Sequence, residues 1–277
     1  MTVEDDGVDQ DDPAASALAH FGNEARLERE RLGITRADLG KAATCGYSLV
    51  AKIEKGQRVP PREFAEACDR LFPDAHGRFM RLWPLALKYA YPVWFRKYVA
   101  LEETATHICM FNPHIVPGLL QTEAYAREVF RKARVTKIED ALTARLERQR
   151  ILTREEGAPR LWIILDEAAL RRRVGDAELM RGQLTRIRDV AETPEHVVQI
   201  IPASEGFYHA GGCPFSLLSF HDSADVVHVD GFPTGYIFAE SDAVAESRHT
   251  YDLLKATALS ADKSAAVIDS IMKDVYV

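Results

Sequence analysis

The sequence predicts a multidomain chain: an all-α head over residues 14–72, a linker helix over 73–92, and an α+β domain over 93–277. Three observations predict it. Up to Leu71 the apolar residues recur at helical spacing, broken every ten to twenty residues by Gly, Pro or a capping residue. Beyond Thr106, alternating or continuous apolar runs suited to strands appear, interleaved with amphipathic helices. Charge divides in the same place, as set out below.

At 277 residues the chain allows one large or two modest domains, and a 47% hydrophobic share is that of a folded protein. No apolar run approaches the roughly 18–20 residues of a membrane span. The N-terminus, MTVEDDGVDQDD, lacks a basic-then-apolar leader, so a cytoplasmic protein is expected. Cys45, Cys68, Cys109 and Cys213 form no CxxC and read as reduced, mostly buried thiols. The net charge of −7 is unevenly spread: residues 1–13 hold six acids and no base, and 73–277 hold 25 bases against 28 acids. Residues 14–72 hold ten Lys/Arg against eight Asp/Glu, the only net-positive part. Phosphate attraction depends on the local field, so DNA binding stays open, with weak non-specific affinity expected.

The elements follow in order. Residues 1–13 read as a disordered acidic tail. A helix from about Ala15 to Leu32 buries Leu18, Phe21, Ala25 and Leu32. Thr35 with Asp38 caps a second helix that buries Leu39 and Ala43. After the break at Thr44-Cys45-Gly46, a third helix from about Tyr47 to Glu54 buries Val50 and Ile53, and Gly56 supplies a left-handed cap. Pro61 opens a fourth helix with Phe64, Ala67 and Leu71 inward, and Pro73-Asp74 ends the head. A short helix then leads to Tyr91-Pro92.

In the second part, 93–106 reads as a helix and 106–113 as a strand. Residues 116–133 read as a turn and a helix capped by Thr122, and 137–152 is amphipathic, with Leu142 and Leu146 on one face. RLWIILD (160–166), HVVQIIP (196–202) and PFSLLSFH (214–221) are strands, with a helix near Asp176–Glu192 between the first two. Residues 225–240 suit a strand pair, and helices over about 242–258 and 260–273 finish the chain.

The stretch Gly33–Pro60 resembles the helix-turn-helix regulators of the Xre class, of the Cro and phage-repressor type. Its ending KIEKGQRVP, Lys52–Pro60, is similar to their recognition-helix terminus. A recognition helix sets the side chains of its first turns against base edges in the major groove. With Val50 and Ile53 inward, Tyr47, Ser48, Leu49 and Lys52 face outward, where a hydroxyl, a lysine and an apolar group can each read a base. Lys55 and Arg58, beyond the helix, and Arg36, first on the preceding one, suit phosphates. Members of the class more often carry glutamine at the position of Arg36 and Ser or Thr at that of Gly46. The resemblance also implies an ion pair between Arg29 and Glu54 that holds the reading helix without touching bases. Two-fold reading of duplex DNA by a homodimer is the expected mode.

From about Val93 onward the chain resembles the C-terminal region of actinomycete regulators of the Scr-type, antitoxin-like (WhiJ-like) group. The matching pieces are LEETAT (101–106), VPGLLQTEAYAR (116–127), RLERQRIL (145–152), LDEAALRRRVGD (165–176) and ALSADKSAAVI (258–268). The resemblance implies a transcription regulator whose second domain answers to a ligand or to a small protein encoded by a neighbouring gene. The alternative is an antitoxin-like protein that chiefly sequesters that partner. It implies no reaction, no cofactor and no membrane.

Taken by themselves, the residues of this part say less. VPGLLQT supplies a turn, apolar anchors and a cap. Asp166 and Glu167 ahead of Arg171, Arg172 and Arg173 suit either a salt-bridged surface helix or an anion site, and the loop Phe207–Gly212 suits a connector or a lid. Cys213 with His209, His221 and His228 raises a nucleophile or a metal site, but no HExxH, GxSxG or Walker pattern accompanies them. A binding protein without metal or catalysis is therefore expected.

Overall fold

Side-chain caps open many of the helices. The computed structural model describes residues 16–209 and 212–276; the acidic segment 1–13, Ala15 and Gly211 lie outside them. Two units result, residues 16–92 with Glu139–Glu147, and Val93–Ile138 with the chain from Arg148 onward.

The first unit contains α1 (Ala17–Arg31), α2 (Arg36–Ala42), α3 (Tyr47–Glu54), α4 (Arg62–Leu71) and α5 (Arg78–Leu87). The Ser16 hydroxyl accepts from Ala19 N, and Thr35 and Asp38 cap α2 reciprocally, each side chain taking the other's backbone N–H. Phe21, Leu39, Val50, Ile53 and Phe64 are fully buried between these helices. Gly22 lies within α1 because a Cβ there would run into the Ile53 carbonyl oxygen, so α1 and α3 pack almost backbone to backbone.

Two parts of the sequence reading change here. Residues 73–92 do not serve merely as a linker: α5 belongs to the head, with Phe79 buried edge-on to Phe21 at 5.5 Å and to Phe72 at 5.4 Å. Trp83, one turn on, donates its indole N–H to the Pro60 carbonyl at 2.9 Å. The backbone N–H groups of Phe79 and Met80 are satisfied by the Asp69 carboxylate, so Pro73-Asp74 is a turn inside the bundle. Likewise 93–277 is not one continuous block. Asp140 accepts from Val59 N at 3.0 Å and pairs with Arg58, Glu147 accepts from Arg62 at 3.1 Å, and the Ala144 carbonyl takes the Tyr91 hydroxyl at 2.8 Å.

The second unit runs α6 (Val93–Thr104), β1 (His107–Asn112), α7 (Glu123–Lys132), then α8 (Ile138–Gln149), whose middle belongs to the first unit, and β2 (Arg160–Asp166). It continues α9 (Glu167–Arg171), α10 (Ala177–Ala191), β3 (His196–Ile201), β4 (Phe215–Ser219), β5 (Val226–Val229), β6 (Tyr236–Phe238), α11 (Ser241–Thr257) and α12 (Ala261–Asp274). The sheet order is β3-β2-β1-β4-β5-β6, parallel among β1, β2 and β3 and antiparallel from β1 through β4 and β5 to β6. An all-α head before an α+β domain is therefore the architecture. Ile108, Met110, Ile163, Leu165 and Ile200 pack on one face with Leu184 of α10 and Ile268 of α12; Phe111, Ile164, Leu217 and Val227 pack on the other with Tyr251 and Leu254 of α11. Strands buried on both faces read as continuous apolar runs, as β2 does.

The VPGLLQT segment is held by side-chain amides. Gln183 of α10 accepts from Thr122 N at 2.8 Å and donates to the Leu120 carbonyl at 2.7 Å, while Gln149 bridges the Gly118 and Gln121 carbonyls. Its turn is thereby satisfied in the interior.

If α5 is part of the head, Phe79→Ala in the full chain should destabilise the first unit by about 3–5 kcal/mol, the range for a buried phenylalanine. Denaturant unfolding followed by a probe in the head checks this; a loss below about 1 kcal/mol would mean that α5 is dispensable to that core.

Candidate nucleic-acid interface

Glu54, at the last turn of α3, has a side chain with no solvent exposure and two guanidinium partners. Arg29 of α1 donates from Nε to one oxygen at 2.5 Å and from a terminal nitrogen to the other at 3.1 Å. Arg36, at the start of α2, donates from Nε to the second oxygen at 2.7 Å. Arg29 also donates to the Ile34 carbonyl at 3.1 Å, tying in the α1–α2 turn. The hydrogen bonds to Glu54 raise the pKa of both arginines, so both guanidiniums stay charged.

Arg36 extends the cluster to the exposed side of α3. It lies 5.8 Å from the centre of the Tyr47 ring, and its terminal nitrogen is 3.3 Å from the Tyr47 hydroxyl. Tyr47 is 58% exposed, Ser48 and Lys52 are exposed, and Leu49 is half-buried, whereas Val50 and Ile53 are fully buried. One side of α3 is thus anchored and the other presents hydroxyl, apolar and cationic groups together. Gly56 follows with φ +66°, and a Cβ there would press on Ala19 Cα at 2.8 Å.

The structure brings Arg29, Arg36, Tyr47 and Glu54 into one cluster and leaves Ser48, Lys52 and Lys55 exposed. Arg58 is not at the open surface the sequence suggested; it is held by Asp140. Arg36, read from the sequence as a phosphate clamp, spends its Nε on Glu54. Gly22 and Asp140 were missed as supports. A glycine inside a helical pattern signals close packing, but nothing local marks Asp140, which lies 82 residues from Arg58.

A family model described as a helix-turn-helix domain matches residues 20–72, and one described as a domain of unknown function (DUF5753) matches residues 95–270. The second covers more than half of the chain. The chain belongs to the DUF5753 family. No curated protein and no solved structure matches it. The helix-turn-helix match supports DNA binding through the first unit. No helix among the described residues is long and apolar enough to cross a membrane.

In the DUF5753 domain several of the residues raised as alternative sites bond to one another or to the backbone. Asp166 caps α9 through Ala168 N and accepts the Tyr208 hydroxyl at 2.5 Å; Glu167 takes Arg171 at 2.5 Å and Ala203 N at 2.9 Å. Cys213 and His221 are exposed, and His209 meets the Thr250 hydroxyl at 3.3 Å. Among the described residues no three or more His, Cys, Asp or Glu are grouped to hold a metal ion. His228 is buried against Trp94, Phe95 and Tyr98, and its Nδ1 is 3.7 Å from Asp230. Burial lowers its pKa, with Arg148 acting in the same direction and Asp230 and Glu102 opposing. His196, whose Nδ1 accepts from Leu161 N, is also lowered by burial.

Removing Glu54 leaves two guanidiniums facing each other, Arg29 deeply buried. Glu54→Ala should cost about 3–5 kcal/mol in the melting of the head, and Arg36→Ala, at the more exposed partner, clearly less. Equal melting curves for Glu54→Ala and the parent would show that the cluster does not hold the head.

The buried histidines set a pH dependence. Their folded pKa values lie below the usual value of about 6.5, so the unfolded chain binds more protons below that pH and stability falls as pH drops from about 6.5 towards the folded values. His228→Gln should flatten that slope in urea midpoints measured across the window; an unchanged slope would assign it to other groups.

Proposed function

We propose that this DUF5753 protein is a sequence-specific transcription regulator of the Xre class, of the actinomycete Scr-type (WhiJ-like) group by resemblance, acting on the nucleoid in the cytoplasm. The observation that carries this reading is the two-sided α3: Val50, Ile53 and Glu54 are buried and anchored, and Tyr47, Ser48 and Lys52 stand exposed on its outer side. Tyr47, Ser48, Leu49 and Lys52 read base edges, and Lys55 contacts phosphate. Arg36 positions Tyr47 while its remaining N–H groups face phosphate, and Arg58 serves first to hold Asp140. One reading helix covers only a few base pairs, so a homodimer engages an inverted repeat with half-site centres about 34 Å apart or a multiple of that. The second domain receives a small protein partner that modulates operator binding.

Selection of duplexes from a randomised library at two salt concentrations tests the assignment. Lys52→Ala and Tyr47→Ala should relax preference at particular positions by about 1–3 kcal/mol, and Lys55→Ala should weaken all sequences alike and reduce the salt slope by about one. If Lys52→Ala lowered affinity evenly while Lys55→Ala changed the preferred bases, the placement of α3 in the groove would be wrong. Selected sites without two-fold symmetry would contradict the dimer.

A further inference from the structure

The two edges of the six-stranded sheet are treated differently. At the β3 edge the backbone is already used: Leu259 N donates to the Ile200 carbonyl and Ile200 N donates to the Ser264 hydroxyl, both at 2.9 Å. At the opposite edge β6 pairs, among the described residues, with β5 alone. Ile237 of β6 packs towards the core, while Tyr236 and Phe238 alternate to the other side, exposed and with ring centres 6.4 Å apart. Phe232 is fully exposed, and half-exposed Trp94 lies so close to Gly235 that a Cβ there would stand 2.9 Å from its ring. Natural edge strands are commonly blunted with lysine or covered, because an open apolar edge is a template for another strand. The β6 strand carries no charge of its own.

Charge decides which strand it suits. From Arg188 to Arg248 the intervening sequence has ten carboxylates and no Lys or Arg. Asp230, Glu240 and Asp242, which bracket β6, are exposed. Phosphate, the six-acid segment 1–13 and the same acidic edge of a second copy would all meet like charge here. A segment alternating apolar residues with Lys or Arg would meet complementary charge on its basic side chains and aromatic rings on the others.

The geometry points to β6 as a strand-addition edge that takes an extended, basic segment of a partner protein. Main-chain hydrogen bonds would supply affinity, Tyr236 and Phe238 would receive the apolar side chains, and Asp230, Glu240 and Asp242 the basic ones. This rests on reading the DUF5753 domain as the partner-binding part.

Short randomised peptides displayed on phage and selected against the full chain test it. Selected peptides should alternate apolar residues with Lys or Arg, and their binding should weaken as salt rises. They should slow hydrogen exchange of the β6 amides in the unaltered protein. They should also lose at least about tenfold in affinity for a Tyr236→Lys/Phe238→Lys variant that melts like the parent. Peptides without basic residues, or binding with unprotected β6 amides, would overturn the edge and leave a partner site elsewhere on the domain standing. Failure to select any peptide would overturn the edge and remove the support it lends to the partner reading. Self-association that Phe238→Lys abolishes would assign the edge to a second copy and overturn the proposal.

Discussion

A carboxylate buried without solvent is tolerated only when it is paired and fully hydrogen-bonded, and the head is organised around meeting that requirement at Glu54. Arg29 reaches it from α1 and Arg36 from α2, so one side chain at the end of α3 fixes three helices. The Gly22 contact sets how near α1 and α3 can come, and Gly56 lets the chain leave α3 past Ala19. The exposed residues of α3 inherit their placement from this cluster, Tyr47 through its contact with Arg36. Under the proposed function, rigid support of this kind spares α3 part of the ordering cost at the moment of binding.

The second domain is organised by burial on both faces of its sheet. Strand β1 is first in the chain and lies inside the sheet, parallel to β2 on one side and antiparallel to β4 on the other. Helices cover each face, and side-chain amides of Gln149 and Gln183 satisfy the irregular turn at VPGLLQT, which would otherwise carry buried, unpaired carbonyls. The polarity of the domain then appears at its rims. One rim has its backbone bonded within the domain and the other ends in exposed aromatic rings within an acid-rich stretch.

Much of the local structure was legible in the sequence, because local rules govern it. Thr35 and Asp38 announced a capping box, the bounds Tyr47–Glu54 followed from two buried apolar positions and a glycine stop, and Asp176 and Thr122 marked helix starts. The six strands were visible as runs, and the two closing helices by their period. Less legible were α9, five residues long, and the place of α5. Pro73-Asp74 has the composition of a domain end, yet Asp69 caps the helix that follows.

Sequence by itself determined the class of the two parts, most of the elements within them and the side of α3 that faces outward. Each depends on residues within a turn or two of one another. Tertiary structure decided the strand order, the return of Glu139–Glu147 to the first unit, and the state of the arginines. Arg36 and Arg58 look alike in sequence, two exposed-looking cations flanking α3. They differ from that picture because Glu54, 18 residues from Arg36, and Asp140, 82 residues from Arg58, claim their charge. Pairings over such separations depend on how the chain packs, and no local periodicity records them.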